Sequence, residues 1–150
     1  MLEKKVGNIL ELFYSTDSGR VSVNQLHFDK KGVIEDKYYN KNIDRSVLIT
    51  SIESYTLAKN HDMDAPYSSL GENLLIDYNP YILSEGERLL IGEVVLEISQ
   101  HCTLCKSLTK VDNKLPKLLK DHRGIFAKVI QAGIIKKGDT IYLFKKEEEA

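Results

Sequence analysis

Cysteine is scarce in this chain, since Cys102 and Cys105 are the only two among 150 residues. A secreted scaffold framed by disulfides needs more cysteines, and an iron–sulfur cluster of the Cys₄ kind needs four. The pair therefore excludes both classes of protein. A cytoplasmic location is the expectation, because reduced thiols persist there.

Long hydrophobic runs are also missing. No stretch approaches the roughly 20 apolar residues that a bilayer-spanning helix needs. Residues 1–6 lack the apolar run of a signal peptide. We therefore expect no membrane partner.

The chain carries no excess of charge of either sign, because 21 basic residues face 22 acidic ones and the net charge is −1. A protein without a strong overall field does not attract nucleic acid along its whole surface. The composition predicts no nucleic-acid partner.

Short β-strands dominate what is present. The segments that read as strands, by apolar alternation or short apolar runs between turn residues, are 6–14, 21–28, 46–50, 73–77, 88–91, 94–98, 124–132 and 141–144. A helix is expected after Thr50, because Thr50 and Glu53 have capping-box spacing. A second is expected over 115–122, where apolar residues recur at helical spacing.

This pattern predicts a mainly β fold, a largely antiparallel sheet closed or nearly closed into a barrel, with a few short helices. Regular crossover helices are lacking, which argues against a doubly wound sheet. No linker divides the chain. We expect a single domain over residues 1–145 and a charged tail over 146–150.

The Cys-x-x-Cys pair that follows the strand at 94–98 permits several interpretations. It could be half of a zinc site, although His27, His61 and His122 are scattered along the chain. It could be a dithiol redox pair, or Cys105 could act alone as a functional thiolate in the turn after the strand. Both cysteines could also be ordinary small buried residues.

A glycine-containing turn precedes the apolar run at 74–76, with Glu72 and Asn73 directly after Gly71. The asparagine offers donors and an acceptor on one short side chain, yet a turn in which it bonds its own backbone explains the segment equally well.

Scattered cations could bind an anion, and arginine is the natural phosphate clamp because of its planar fork. The candidates are Lys37, Arg45, Arg123 and Lys128. Any one of them could equally be ordinary surface charge. Tyr38 and Tyr39 could wall a flat ligand.

Taken in order, these segments resemble the MOSC domain, the C-terminal domain of molybdenum cofactor sulfurase. The resemblance rests on residues 32–36 with Arg45-Ser-Val-Leu-Ile, Gly71-Glu-Asn-Leu-Leu-Ile-Asp, Leu83 to Ile98, a cysteine at 105, Arg123-Gly124, and Gly133 to Asp139. It covers roughly residues 6–143. Two positions depart from the family pattern: Glu35 replaces a glycine, and Leu104 precedes the cysteine where proline is common.

The resemblance implies a β-barrel that binds the molybdenum–pterin cofactor, with Cys105 as a molybdenum ligand. A soft thiolate suits such a metal centre. Arg45 and Arg123 match family arginines and are expected to bind the cofactor, whose phosphate needs such donors. Asn73 is expected to hydrogen-bond the pterin edge, and Glu72 to brace the loop.

Activities within the family imply two alternatives. One is a molybdenum-dependent reductase of N-hydroxylated compounds, which needs an electron-donor partner. The other is a carrier or insertion module that transfers cofactor or sulfur to a partner enzyme, with a persulfide on Cys105. A dithiol redox protein that uses Cys102 and Cys105 is a third, less favoured hypothesis. Pyridoxal phosphate is not expected, since its domain is a separate unit, and the oligomeric state is not predicted.

Overall fold

The computed structural model describes residues 2–101 and 123–145. Helix α1 (Ile52–Asn60) and two 3-10 turns, Ile43–Arg45 and Pro80–Ile82, lie among the strands. The strands are β1 (Leu2–Thr16), β2 (Gly19–Val23), β3 (Gln25–Asp29), β4 (Gly32–Val33), β5 (Val47–Ser51), β6 (Leu74–Ile76), β7 (Arg88–Ile91), β8 (Val94–His101), β9 (Ile125–Gln131), β10 (Gly133–Lys136) and β11 (Thr140–Lys145).

Seven of the described strands close into a barrel in the order β11-β7-β8-β9-β5-β6-β1, because β1 also pairs with β11. The pairings around the barrel are antiparallel, except that β5 and β6 run parallel. Strand β2 adds to β1 outside the ring. The expected fold, mainly β with a largely antiparallel barrel and short helices, is confirmed.

Alternation along the strands fills the barrel interior. In β8, Val94, Leu96 and Ile98 are buried, whereas Glu97 between them is partly exposed. Burying a side chain of this size contributes about 1.5–3 kcal/mol. The barrel therefore encloses one continuous apolar core, to which β1, β5, β6, β7, β9 and β11 also contribute.

Helix α1 packs on the outside of the barrel over a second apolar cluster formed by Phe13, Tyr55, Ala58, Leu70 and Leu75. The helix begins after Ser51, whose side-chain oxygen accepts a hydrogen bond from the Glu53 amide at 3.1 Å. The prediction that Thr50 caps this helix is wrong by one residue. Thr50 belongs to β5 and is fully buried, so the cap falls to Ser51 at the strand end.

The predicted strand 21–28 is two strands in different sheets. Strand β2 pairs with β1, but after Asn24 strand β3 pairs with β10 in a small three-stranded sheet that also contains β4. Long-range pairing imposes this change of direction, and the local sequence carries no sign of it. Strand β10 was also missed.

A bulge between Ile98 and Gln100 interrupts the alternation near the end of β8. Both cysteines and the predicted helix 115–122 lie outside the described residues. Over the residues that are described, no helix has the length and apolar character required to cross a bilayer.

Candidate functional site

The side chain of Leu48 on β5 is 7% exposed and lies between two glycines. A Cβ atom added to Gly124 would be 2.8 Å from Leu48 Cδ1, and one added to Gly71 would be 3.5 Å from Leu48 Cδ2. Both glycines have positive φ, +143° and +89°. Leu48 also pairs with Phe126 on β9. We call these four residues the Leu48 surface.

Arg45 extends over one side of the Leu48 surface. Its guanidinium carbon lies 5.3 Å from the centre of the Phe126 ring, within cation–π range. The Gln100 amide, oriented so that its oxygen faces Arg45, accepts from Arg45 Nε at 2.8 Å and Nη2 at 3.3 Å. Because Arg45 is itself exposed, its guanidinium is both oriented and accessible.

Arg123 is the sequence neighbour of one residue of the Leu48 surface. It directly precedes Gly124, which contacts Leu48, and its side chain is half-buried. Strands β5 and β9 run antiparallel with Leu48 opposite Phe126, so Arg45, which precedes β5, and Arg123, which precedes β9, lie at opposite ends of this strand pair.

Asn73 ties three segments together beneath this surface. Its Oδ1 accepts from the Leu48 amide at 3.1 Å, and its Nδ2 donates to the Phe13 carbonyl at 3.1 Å and to Asp36 Oδ1 at 3.2 Å. Both amide hydrogens are thus engaged within the protein. Only a lone pair of Oδ1 is left for a ligand.

Asp36 extends this network into the next loop. Besides Asn73, its carboxylate accepts from the Ser15 amide at 2.6 Å and from the Tyr38 amide at 2.9 Å. The Lys37 amide in turn donates to the Ser15 carbonyl at 2.9 Å. These bonds fix the backbone of Lys37 and Tyr38 against the end of β1.

A polar pocket of about 240 Å³ opens beside this loop, and we call it the Arg20–Lys37 pocket. A hydrogen bond orients the Arg20 side chain, because its Nε donates to the Ser68 carbonyl at 3.1 Å. The Lys37 ammonium lies 5.1 Å from the Tyr38 ring centre. The lining residues are Ser15, Thr16, Asp17, Gly19, Arg20, Lys37 and Tyr38.

Gly71 separates the Arg20–Lys37 pocket from the Leu48 surface. A Cβ on Gly71 would lie 3.0 Å from Arg20 Nη2 and 3.5 Å from Leu48 Cδ2. The pocket and the surface are therefore adjacent, and any side chain at position 71 would push into the boundary between them.

Glu72 lies under the same turn and is 1% exposed. Its Oε2 accepts a 2.5 Å hydrogen bond from the Tyr55 hydroxyl, which also accepts from the Leu70 amide at 3.3 Å. Burial raises the pKa of Glu72 above its ordinary value, despite the opposing hydrogen bond from Tyr55. Burial also raises the pKa of Tyr55.

Lys128 and Tyr39, two other candidates, are engaged elsewhere. Lys128 Nζ lies 3.1 Å from Glu97 Oε2, next to an ion pair between Arg88 and the same carboxylate. Tyr39 donates a 2.5 Å hydrogen bond to Asp29. Neither of these contacts involves a residue of the Leu48 surface.

Cys105, the predicted metal ligand, lies outside the described residues, as does Cys102. Within residues 2–101 and 123–145, no group of three or more His, Cys, Asp or Glu side chains could hold a metal ion. The prediction that Cys105 binds molybdenum stays a prediction.

The described donors fit the anionic part of a pterin cofactor. The Arg20–Lys37 pocket offers two cationic groups and the Ser15 hydroxyl, which are donors that suit a phosphate group; the Thr16 hydroxyl already donates to the Gly19 carbonyl at 2.8 Å, and the Asp17 carboxylate also lines the pocket. Arg20 and Leu48 both pack closely against Gly71, so the pocket and the Leu48 surface meet at this glycine.

Sequence reasoning missed Arg20, Asp36 and Gln100. Arg20 reaches Ser68, 48 positions away, and Asp36 reaches Asn73, 37 positions away. Such pairs have no signature in local spacing. For Asp36 the sequence held a partial signal, because residues 32–36 are among those on which the family resemblance rests.

The described residues thus form a closed seven-stranded β-barrel with a pocket lined by Arg20 and Lys37 at the end of β1. The sequence model of the MOSC domain matches residues 23–142, so the chain belongs to the MOSC domain family. This family is associated with molybdenum cofactor binding.

Solved structures show the same fold. The YuaD protein from Bacillus subtilis superimposes with a TM-score of 0.80 at 18% identity, over 97% of this chain and 100% of that one. The YiiM proteins from Escherichia coli and Geobacillus stearothermophilus give TM-scores of 0.71 and 0.67 at 18% and 16% identity. These cover 95% and 96% of this chain and 72% and 76% of theirs. A search among curated protein sequences gave no match.

Proposed function

We propose that this protein binds a molybdenum–pterin cofactor across the Leu48 surface and uses it to reduce N-hydroxylated compounds. The observation that carries the proposal is the adjacency of the Arg20–Lys37 pocket to the Leu48 surface across Gly71. A ligand with a phosphate at one end and a flat ring system at the other matches this arrangement.

Each predicted residue has a part in the proposal. The phosphate would bind Arg20 and Lys37, and the pterin would lie near Arg45 and Arg123. Asn73 has one acceptor lone pair for a pterin N–H, since its amide hydrogens already bond Phe13 and Asp36. Glu72 braces the turn through Tyr55.

Cys105 is the proposed molybdenum ligand, because a thiolate is a soft donor that complements the dithiolene sulfurs of the pterin. When bound, the cofactor supplies the electron chemistry of N–O reduction. The protein orients the cofactor and keeps its phosphate paired. Electrons would come from a partner electron-carrier protein.

Metal analysis of protein purified from a host that makes the cofactor tests this proposal. Wild-type protein should contain molybdenum, Cys105→Ser should lose it, and the matched control Cys102→Ser should keep it. Unchanged molybdenum in Cys105→Ser would contradict the assigned ligand. Equal damage from both cysteine substitutions would favour a dithiol protein instead.

Turnover separates a reductase from a carrier. A hydroxylamino substrate and an artificial electron donor should give substrate reduction by the molybdenum-loaded wild-type protein. Loaded protein that shows no reduction would contradict the enzymatic part of the proposal. A persulfide on Cys105 in that protein would favour the carrier or insertion module.

A further inference from the structure

Exposed hydrophobic side chains gather in the part of the chain that connects β3 to β5. Six large hydrophobic side chains are exposed among the described residues, and three of them lie within residues 30–45. These three are Ile34, Tyr38 and Ile43, with exposed fractions of 49%, 57% and 44%. We call residues 30–45 the basic segment, because of the charges described below. Apolar side chains that gather in one exposed segment mark an interaction surface, whereas single scattered ones are ordinary.

The carboxylates of the basic segment are mostly turned into the protein. Glu35 Oε1 accepts from the His27 amide at 3.0 Å, and Glu35 Oε2 lies 2.7 Å from His27 Nδ1. Asp36 is buried, and its carboxylate accepts from the Ser15 amide at 2.6 Å. Of the three acidic residues in the segment, Asp44 alone is exposed. The negative charge of the segment is therefore largely withdrawn from its surface.

The cations of the basic segment remain on its surface. Five residues of the segment are basic and all five are exposed, namely Lys30, Lys31, Lys37, Lys41 and Arg45. Within residues 2–101 and 123–145, no ion pair involves any of them. Exposed apolar side chains interspersed with like charges suit a protein partner of opposite charge, because the apolar contacts hold the partner and the charges steer its approach.

The basic segment is held in a closed shape by contacts between its ends. The Asn40 amide donates to the Lys31 carbonyl at 3.0 Å. A Cβ atom added to Gly32 would lie 3.5 Å from Ser46 Cβ, and the Ser46 hydroxyl donates to the Ile43 carbonyl at 2.6 Å. A surface that is already ordered binds a partner without the entropic cost of ordering it.

The position of the basic segment relates it to the candidate site. Tyr38 lines the Arg20–Lys37 pocket, and Arg45 extends over the Leu48 surface. A protein that docks on this segment therefore lies beside the place proposed for the cofactor. Electron transfer between proteins slows steeply with distance, so an electron donor has to dock close to the cofactor that it reduces.

We propose that the basic segment is the docking surface for an acidic electron-carrier protein, which supplies the electrons for the reduction. This inference rests on the proposed function. Ile34, Tyr38 and Ile43 contact apolar residues of the carrier, and the surrounding lysines pair with its carboxylates. Reduction of R–NH–OH to R–NH₂ and water breaks the N–O bond and consumes two electrons and two protons. The reduced carrier is oxidised by giving up the electrons, and solvent supplies the protons.

Nuclear magnetic resonance of the cofactor-free protein tests the docking surface, with an acidic [2Fe–2S] ferredoxin as the probe. The amide signals of residues 30–45 should shift as ferredoxin is added, and binding should weaken as salt rises, because exposed charges are screened. The double variant Lys30→Glu and Lys31→Glu should bind about ten-fold more weakly than wild type. Absence of binding by wild-type protein, or shifts confined to other residues, would overturn the proposal.

A matched control changes the same charge elsewhere. Lys4 and Lys5 are exposed near the start of β1, whereas the basic segment contacts Ser15 near the end of that strand. The double variant Lys4→Glu and Lys5→Glu should therefore bind ferredoxin as wild type does. Equal weakening by the two double variants would show a general effect of net charge and would overturn the assigned surface.

Turnover of the molybdenum-loaded protein separates docking from chemistry. The double variant Lys30→Glu and Lys31→Glu should reduce a hydroxylamino substrate about ten-fold more slowly with ferredoxin as the donor. Its rate should equal that of wild type with reduced methyl viologen, a small donor that needs no docking surface. Ile34→Ser should give the same difference between the two donors. Equal losses with both donors would overturn the proposal.

The two proposals fail in different ways. Wild-type protein without molybdenum, or without turnover by either donor, contradicts the proposed function, whereas ferredoxin binding by the cofactor-free protein still tests the docking surface. Loaded wild-type protein that works with methyl viologen but neither binds nor uses ferredoxin overturns the docking surface alone. Binding to phosphatidylserine vesicles in place of ferredoxin would assign the segment to a lipid surface and would overturn it as well.

Discussion

Glu72 and Asn73 are neighbours in the chain, but they hold different parts of the molecule. Glu72 points under the turn towards Tyr55, and Asn73 joins β5, β1 and the loop that carries Asp36. The sequence identified both residues as candidates, because a glycine followed by polar residues precedes a buried strand. It could not tell that both side chains are buried, since their partners are distant in sequence.

Glu72→Gln should change how stability depends on pH. The folded-state pKa of Glu72 is raised by burial, so the folded protein binds more protons than the unfolded chain between the two pKa values. The wild-type free energy of unfolding therefore falls as the pH rises above the ordinary glutamate pKa of about 4.3 and through the folded value. Glutamine does not titrate, so the variant gains stability relative to wild type across that window.

Urea denaturation between about pH 4 and about pH 9 measures this difference. Glu53→Gln, at an exposed position on α1, should show no such trend. A constant difference between Glu72→Gln and wild type at every pH would show that Glu72 is not perturbed in the folded state.

Asn73→Ala should destabilise the protein by about 3 kcal/mol, because it leaves the Leu48 amide, the Phe13 carbonyl and the Asp36 carboxylate without this partner. Chemical denaturation gives the value. The control Asn60→Ala, exposed at the end of α1, should stay within about 0.5 kcal/mol of wild type. Similar losses in the two variants would contradict the network.

At the scale of secondary structure, elements with strong local alternation were predictable. Strands β7 and β8 follow the expected segments, because their apolar residues alternate over a buried face. The break between β2 and β3 was not predictable, since pairing with β1 on one side and β10 on the other decides it. The capping residue of α1 is Ser51 and not the predicted Thr50 for a similar reason, because β5 extends to Ser51.

Ser51→Ala should cost about 1 kcal/mol of stability, since the Glu53 amide loses its capping acceptor. The residue also ends β5, but its backbone bond to the Tyr81 hydroxyl survives the substitution. Thermal or urea unfolding measures the loss. Thr56→Ala, exposed in the middle of the same helix, serves as the control and should cost less; the reverse order would contradict the observed cap.

For the molecule as a whole, the barrel followed from short strands and missing crossover helices, but its closure did not. Strand β1 pairs with β11 at the opposite end of the chain, with β6 and with β2. The same long-range contacts assemble the site. Arg45, Arg123 and the Gly71 turn were named from sequence, and folding brings Gly71 and Gly124, the residue after Arg123, against the same side chain, Leu48.

The Arg20–Lys37 pocket emerges only at this scale, from β1, β2 and the loop after β4. Arg20 contacts the Ser68 carbonyl and borders Gly71, so the pocket depends on the turn that also carries Glu72 and Asn73. The sequence offered Lys37 as one cation among many and gave no reason to join it to Arg20.

The pterin and molybdenum retained by purified protein test the central claim most directly. After identical dialysis, Lys37→Gln and Arg20→Gln should each hold the cofactor about ten-fold more weakly than wild type, because each removes a cation that the proposal pairs with the phosphate. Lys41→Gln, an exposed charge on the same loop, should retain the wild-type content. Wild-type cofactor content in Lys37→Gln and Arg20→Gln would contradict the assignment of this pocket to the cofactor.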